Sequence, residues 1–281
     1  VVPLRLYLKG AGIVEGQELY VLLTAGGDAP AEIRHRTGAL RKALIPLKGR
    51  LLFTYVLDAV LALPESKRVL VSCGESSEGF PLPPAPCVRY FDGAHDIVEA
   101  IERAADILRA EIGDACLDGE LMIAAIDVPL VTSEQLRQLI ERARELHADV
   151  VWPLVEREVV EAEFPGSRRT YVKTRQGTFT GGNVFLVKPR PLLTQMRLLR
   201  RIFKHRKNPL ALASIFGLGL IVKLLSGGIS VPAMEEGLSA RLGVKLRALL
   251  FEHPEIAVDL DKLVDLEQME EFLSQSPVAS G

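Results

Sequence analysis

Cysteine chemistry, net charge and long apolar runs are all scarce in this chain, and each scarcity removes a class of function. The three cysteines, Cys73, Cys87 and Cys116, are odd in number and show no C-x-x-C spacing. That excludes a disulfide framework and a cysteine zinc site, and reads as reduced thiols of a cytoplasmic protein. The formal net charge is −2 over 281 residues. No global field therefore points to nucleic acid or an anionic membrane, and any phosphate must be held by local charge. The uncharged stretch PLALASIFGLGLIV, Pro209 to Val222, falls short of the roughly 20 apolar residues of a membrane span. Residues 1–16 carry Arg5 and Lys9 but no long apolar core and no A-x-A pattern, so no signal peptide is expected. There is no internal repeat, no coiled-coil heptad and no evident His or Cys dyad of a nucleophilic enzyme.

What is present is a core. Hydrophobic residues make up 48% of the chain, ample for one large α/β domain or two small ones. Residues 3–9 suggest a short edge strand or hairpin turning near Gly10 to Gly16. Leu19–Thr24 reads as the first strand, 51–62 as a helix ending before Pro64, and Arg68–Ser72 as a second strand. The proline-rich stretch 78–87 reads as an irregular surface connection. Asp96–Leu108 is an amphipathic helix, Leu121–Ile126 a strand buried on both faces, 134–147 a helix capped by Thr132 or Ser133, and Val150–Val155 another strand. Residues 156–187 read as an inserted hairpin region, Pro191–Leu225 as helical, 244–250 and 256–258 as late strands, 263–273 as the last helix, and SQSPVASG as a frayed tail. Repeated strand–helix order predicts an α/β fold with a doubly wound, mostly parallel sheet. Ligands of such sheets sit beyond the carboxyl ends of the strands.

The chain is organised around Tyr20–Lys48. An apolar run, YVLLT, turns on Gly26 and Gly27 and continues as a polar loop carrying Arg34, His35, Arg36, Arg41 and Lys42. Glycines allow backbone to approach an anion, inward amides add partial charge, and cations complete a phosphate cradle. A triphosphate is the ligand that would use all of these. The same residues carry a resemblance. A-G-G, then R-T-G at 36–38, Lys42 six residues after Arg36, then Pro46 and Gly49, resemble the signature of the MobA-like NTP-transferase family of nucleotidyltransferases. Thr37 stands where that family has Met, and the loop after Gly27 is longer. The resemblance implies a nucleotide-diphospho-sugar transferase (Rossmann-like) fold with an inserted hairpin and helical acceptor region. One domain would span 1–281, with 19–155 as its nucleotide half and 156–281 as its acceptor half and metal-ligand segment. Thr24, Ala25, Gly26, Gly27, Arg36 and Lys42 would hold the nucleotide, with Arg36 and Lys42 neutralising the triphosphate.

Three further stretches extend the resemblance. AAIDVPLVT, 124–132, places Asp127 after an apolar strand and before Pro129, whose ring stiffens the turn. It matches the family's G-D-x-P motif with Ile126 in place of Gly, and implies Asp127 as a ligand of Mg²⁺, which takes carboxylate and phosphate oxygens. A helix-capping or surface Asp is the alternative. IAVDLDKLVDLEQM, 256–269, resembles the D-x-D-T-P-x-D-L segment and implies Asp259 as the second metal ligand. Asp261 and Asp265 stand between that role and a solvated helix cap. GTFTGGNVFLV, 177–187, resembles the acceptor side, with Gly181, Gly182 and Asn183 as contacts, although a two-glycine turn opening a strand reads equally well. Arg168, Arg169, Tyr171 and Lys173 are candidate grips for an acceptor phosphate, or a solvated basic patch. His95 and Asp96 lie where family members contact the base, and a plain helix N-terminus accounts for them better.

The expected activity is Mg²⁺-dependent transfer of a nucleotidyl unit from an NTP to a phosphorylated acceptor with release of pyrophosphate. Family acceptors range from molybdopterin and cobamide precursors to sugar 1-phosphates and inositol phosphates. Two other readings stand beside it: a non-catalytic nucleotide sensor or assembly subunit, and a glycosyltransferase. The latter ranks last because the D-x-D lies at the C-terminal end rather than after a mid-chain strand. Residues 209–222 are expected to form a buried helix or a subunit contact, as in a homo-oligomer. With basic RLLRRIFKHRK beside it, 197–222 is also a candidate peripheral contact with a membrane or lipid-linked acceptor.

Overall fold

The computed structural model describes residues 18–205 and 208–275. The expected edge strand at 3–9, its turn, and 276–281 of the tail lie outside them. Strand β1 (Leu19–Thr24) is followed by helix α1 (Ala31–Thr37), a small hairpin of β2 (Pro46–Leu47) and β3 (Arg50–Leu51), then α2 (Leu52–Leu61), β4 (Ser66–Ser72), β5 (Val88–Phe91), α3 (Ile97–Ile112), β6 (Glu120–Ala125), α4 (Ser133–Glu145) and β7 (Val150–Glu156). The second half holds α5 (Arg157–Glu163), β8 (Val172–Lys173), β9 (Thr178–Gly181), β10 (Val184–Val187), α6 (Pro189–Leu193), α7 (Met196–His205), α8 (Pro209–Phe216), α9 (Leu218–Leu225), α10 (Val231–Leu242), β11 (Leu246–Leu250) and α11 (Leu263–Gln275).

The main sheet runs β5-β4-β1-β6-β10-β7, with β11 beside β7 and β9-β8 continuing at one end. The β5, β4, β1 and β6 ladders are parallel, as is β7 with β11, while β10 is antiparallel to both neighbours. This is the α/β, mostly parallel, doubly wound sheet the sequence predicts. β1 and β6 are its middle: LYVLL and LMIAA are apolar on both faces because each face is covered. One face packs Val21, Leu23, Met122 and Ala124 against α2, α4 and α11. The other packs Tyr20, Leu22, Leu121 and Ile123 against α3 and α7.

Helix ends follow local chemistry. Thr132 caps α4 in a reciprocal box with Gln135, and Asp96 caps α3 by accepting from Val98 and Glu99 N–H groups. The β2–β3 turn holds Lys48 and Gly49 at φ 47° and 80°, the paired positive values of a two-residue hairpin.

Five expectations are corrected. The polar loop after Gly27 contains α1, bounded by Pro30 and by Gly38 in the left-handed region, with Ile33 buried. Residues 256–258 are not a strand. Pro254 opens a 3-10 turn through Ala257, and the backbone beyond pairs with loops: Asn183 N–H donates to Ile256 O and Leu260 N–H to Asp127 O. Residues 156–187 are more than a hairpin insert, since α5 precedes the β8–β9 hairpin and β10 enters the main sheet. Helical 191–225 is broken into α6–α9, with Gly217 at φ 92° between α8 and α9. Strand β5 follows the proline-rich connection directly, and its short, mixed VRYF gave no clear period. α11 extends through Gln275, so Ser274 and Gln275 belong to helix rather than tail.

Residues 209–222 are neither fully buried nor fully exposed. Ile215, Phe216 and Ile221 face inward, whereas Leu210, Leu218, Val222 and Leu225 are exposed at 79%, 65%, 52% and 72%. No helix of the described residues is long and apolar enough to cross a membrane.

Candidate active site

The glycine turn is built from two loops in contact. A Cβ on Gly26 would stand 2.7 Å from Gly74 Cα, so β1 and β4 approach at their carboxyl ends only because both residues lack one. A Cβ on Gly27 would meet nothing within 4 Å, because Gly27 borders open space. Gly26→Ala is therefore expected to destabilise the fold by about 1–3 kcal/mol through overpacking, while Gly27→Ala leaves stability within about 0.5 kcal/mol. Urea unfolding of the two variants checks the contrast.

The turn is closed over α1. Asp28 and Arg41 form an antiparallel bridge, Ala29 N–H donates to Leu40 O, and Lys42 N–H donates to Gly27 O at 2.9 Å. The long loop thus returns Lys42 to the glycines. Of the loop's cations, Lys42 is the one lining the cavity at the carboxyl ends of β1, β4 and β6. That cavity, about 390 Å³, is also bordered by Thr24, Gly26, Gly27, Asp96 and Asp127, a volume in the range of small-ligand sites.

The other expected nucleotide contacts lie differently. Ala25 is buried and its N–H donates to Ser72 O. Arg36 points away, to Glu267 at 2.7 Å and Glu270 at 3.4 Å on α11, because α1 turns its polar face toward that helix. Arg41 donates to Cys73 O and Ser76 O and tethers the loop after β4.

Lys42 Nζ lies 2.5 Å from Asp127 Oδ2 and 2.7 Å from Asp261 Oδ1. Burial pulls its pKa down, but the two carboxylates outweigh burial and hold it above the ordinary lysine value. Oxygens of Asp127, Asp259 and Asp261 lie within 4.8 Å of one another. The distant D-x-D acids therefore do meet Asp127, although their segment is not a strand. Asp265 arranges this: it is 4% exposed and its Oδ2 accepts from the N–H groups of Asp261 and Lys262. Arg169, itself buried, ion-pairs with the Asp259 carboxylate, donates to Asp259 O at 2.9 Å and reaches Asp265 at 3.5 Å. It positions acids rather than gripping an acceptor.

Burial, then the charge of Asp127, push Asp259 up to about 6, whereas at Asp261 burial pushes up but the Lys42 hydrogen bond and charge, with Asp259 and Arg169, together outweigh it and hold the carboxyl below the ordinary range. Between the ordinary 3.8 and about 6, folded Asp259 keeps a proton that the unfolded chain has lost. Metal-free stability should then fall as pH rises through that window. A cation must displace the same proton, so stabilisation by Mg²⁺ should grow across it. Thermal melts at pH 5 and pH 7.5 check the sign, and an equal Mg²⁺ effect at both contradicts it.

These residues fit Mg²⁺. All donors are carboxylate oxygens, as a hard cation requires. Asp127 Oδ1 is buried without a hydrogen-bond partner, which leaves a costly orphan that a cation would satisfy.

At the expected acceptor segment, β9 and β10 form one bent run along β7, interrupted at Gly182–Asn183 beside the end of β6. Bulges at active sites re-aim backbone in this way. Asn183 is held from both ends, its N–H on Ile256 O and its O on Ala125 N–H. Gly181 and Gly182 are packing glycines: a Cβ on Gly181 would fall 2.2 Å from the Trp152 ring, and one on Gly182 2.8 Å from Pro153. Trp152 stacks on Phe185 at 6.1 Å. His95 and Asp96 border the cavity while Asp96 also caps α3. The D-x-D spacing was the available signal for Asp261. Ser72, also on the cavity wall, gave none beyond its place at a strand end.

The fold is shared with solved structures. A solved structure described as a hypothetical transferase from Thermus thermophilus is 34% identical, with a TM-score of 0.76 over 89% of this chain and 99% of that one. The bifunctional IspDF of Campylobacter jejuni shares the fold at 12% identity and a TM-score of 0.54, over 89% of this chain and 54% of that one. The 2-C-methyl-D-erythritol 4-phosphate cytidylyltransferase of Thermus thermophilus shares it at 15% and 0.50, over 92% and 99%. No curated protein matches the chain. The model of the MobA-like NTP transferase domain matches residues 21–215; with most of its length under that match, the chain belongs to the MobA-like NTP transferase family of nucleotidyltransferases.

Proposed function

We propose that this protein moves an NMP unit from a nucleoside triphosphate to a phosphorylated small-molecule acceptor, releasing pyrophosphate in a Mg²⁺-dependent reaction. The observation that carries the reading is Lys42, held under Gly27 by its own N–H, on the wall of a cavity that Asp127 also lines, while its ammonium joins Asp127 to Asp261. The triphosphate lies along Gly26 and Gly27 with Lys42 against it. An acceptor phosphate oxygen attacks the α-phosphorus, the bond to the bridging oxygen of the β-phosphate breaks, and pyrophosphate leaves with that electron pair. An acceptor phosphate is already an anion at neutral pH, so no general base is needed, and the chain contributes positioning and charge. Asp127 and Asp259, with Asp261 beside them, would hold Mg²⁺, which supplies Lewis-acid neutralisation of phosphate charge. Residues 19–155 act as the nucleotide half and 156–281 as the acceptor half of one unit. Free Cys73, Cys87 and Cys116 suit the reducing cytoplasm.

Incubation with each of the four NTPs and Mg²⁺, with and without a panel of phosphate monoesters, tests the proposal. Acceptor-dependent pyrophosphate release is expected. Tight NTP binding with no release under any pairing would make the protein a nucleotide sensor instead.

A further inference from the structure

Behind the acceptor side lies a second cavity, about 150 Å³, between the sheet and helices α3 and α7. Ile97, Ile101, Ile123, Phe185, Val187 and Leu199 line it, and Gln195 is the one polar residue of its lining. It is a cleft partly open to solvent, and its apolar lining suits an apolar guest of about six carbons. Its position gives the guest an identity. Ile97 borders both this cavity and the candidate nucleotide cavity. Phe185, which lines the apolar one, stacks on the partly exposed Trp152, and Trp152 Nε1–H donates to Gly182 O at the acceptor-side bulge. The two cavities therefore share a wall at Ile97, and the apolar one is linked to the Gly182 bulge through the Phe185–Trp152 stack.

A separate observation points the same way. Helices α8 and α9 expose Leu210, Leu218, Val222 and Leu225. The adjoining α7 exposes Arg197, Arg201 and Lys204 on one face, with Arg200 on the same face paired to Glu102 of α3. Basic and apolar surface together suit contact with an anionic lipid layer.

We infer that the acceptor is an amphiphilic phosphate monoester, a phosphate on a linear apolar chain, with its phosphate at the carboxylate cluster and the first carbons of its chain in the apolar cavity. The inference rests on the nucleotidyltransferase reading. The reaction is otherwise unchanged: the chain-bearing phosphate forms the new P–O–P bond and pyrophosphate leaves.

Trp152 is the sole tryptophan, so its emission reports on the site. Wild-type protein is titrated with butyl, hexyl, octyl and dodecyl phosphate below their micelle concentrations, with glycerol 3-phosphate as the polar control. Affinity should tighten about fourfold per methylene and level off once the cavity is full. Ile101→Phe and, separately, Val187→Phe fill the cavity and should weaken octyl phosphate at least about tenfold, leaving glycerol 3-phosphate unchanged. Equal affinity along the series overturns the inference even if neither variant folds. Pyrophosphate release, with each NTP and Mg²⁺, separates the two readings. Release favouring octyl phosphate supports both. Release as fast with glycerol 3-phosphate overturns the acceptor inference and leaves the transferase standing. Length-dependent binding with no release from any NTP overturns the transferase reading, and with it the chain's role as an acceptor.

Discussion

Lys42→Ala is expected to lower pyrophosphate release by at least about 10²–10³-fold, the cost of losing one preorganised charge donor in other enzymes, in a protein that still folds. The size follows from placement. The Lys42 side chain is 13% exposed and its ammonium stands between two carboxylates. It stays charged through neutral pH because those carboxylates outweigh burial. Under the proposed function, a cation held by these carboxylates would leave the ammonium free to meet phosphate oxygens. Alanine removes that charge and in the metal-free protein leaves Asp127 and Asp261 facing each other unneutralised. The stability cost is about 3 kcal/mol, since Asp127 is largely buried and loses its counter-charge, while the exposed Asp261 contact adds little. Mg²⁺ should recover that stability without recovering turnover. A kcat/KM within tenfold of wild type would remove Lys42 from the mechanism.

Asp127→Asn should be at least as damaging and should fail differently. Asparagine keeps the shape and one carbonyl acceptor, and the backbone oxygen that receives Leu260 N–H is unaffected. What goes is the charge that a hard cation needs, including the orphaned Oδ1. Turnover should fall about 10³-fold or more, and the rise in Tm produced by Mg²⁺ should disappear. The same substitution at Asp259 should cost less, because Arg169 already satisfies part of that carboxylate. At the exposed Asp261 it should cost least. A normal Mg²⁺ shift in Asp127→Asn would mean that the cation binds elsewhere.

Much of this site is legible in the amino-acid sequence, and the reason is local. YVLLTAGG and LMIAAID each join a continuous apolar strand to its functional residue with no intervening loop, so placing the strand places the residue. Where a loop intervenes, residue type is readable but direction is not. Arg36 sits in the expected motif, yet Pro30 and Gly38 bound a helix whose polar face meets Glu267 and Glu270, carboxylates that no local pattern connects to it. Asp259 and Asp261 converge on Asp127 although their segment is not the expected strand, because Asp265 and Arg169 fold it through contacts distant in sequence. In the sequence Arg169 stands out only as a cation. Gly181 and Gly182 read as ligand contacts, but what forbids their side chains is Trp152 and Pro153. The apolar cavity has no sequence signature at all, since its lining is drawn from scattered helices and strands.

The proposed transfer requires the glycine turn, Lys42 and the remote acids to form a single site for nucleotide and cation. Calorimetric titration of NTP with and without Mg²⁺, on wild type, Asp127→Asn, Asp259→Asn and the double variant, measures this directly. One shared site predicts that Mg²⁺ tightens NTP binding to wild type by at least about tenfold, that Asp127→Asn abolishes the gain, and that the double variant loses no more than Asp127→Asn alone. Losses that simply add, or a Mg²⁺ gain that survives in the double variant, would contradict it.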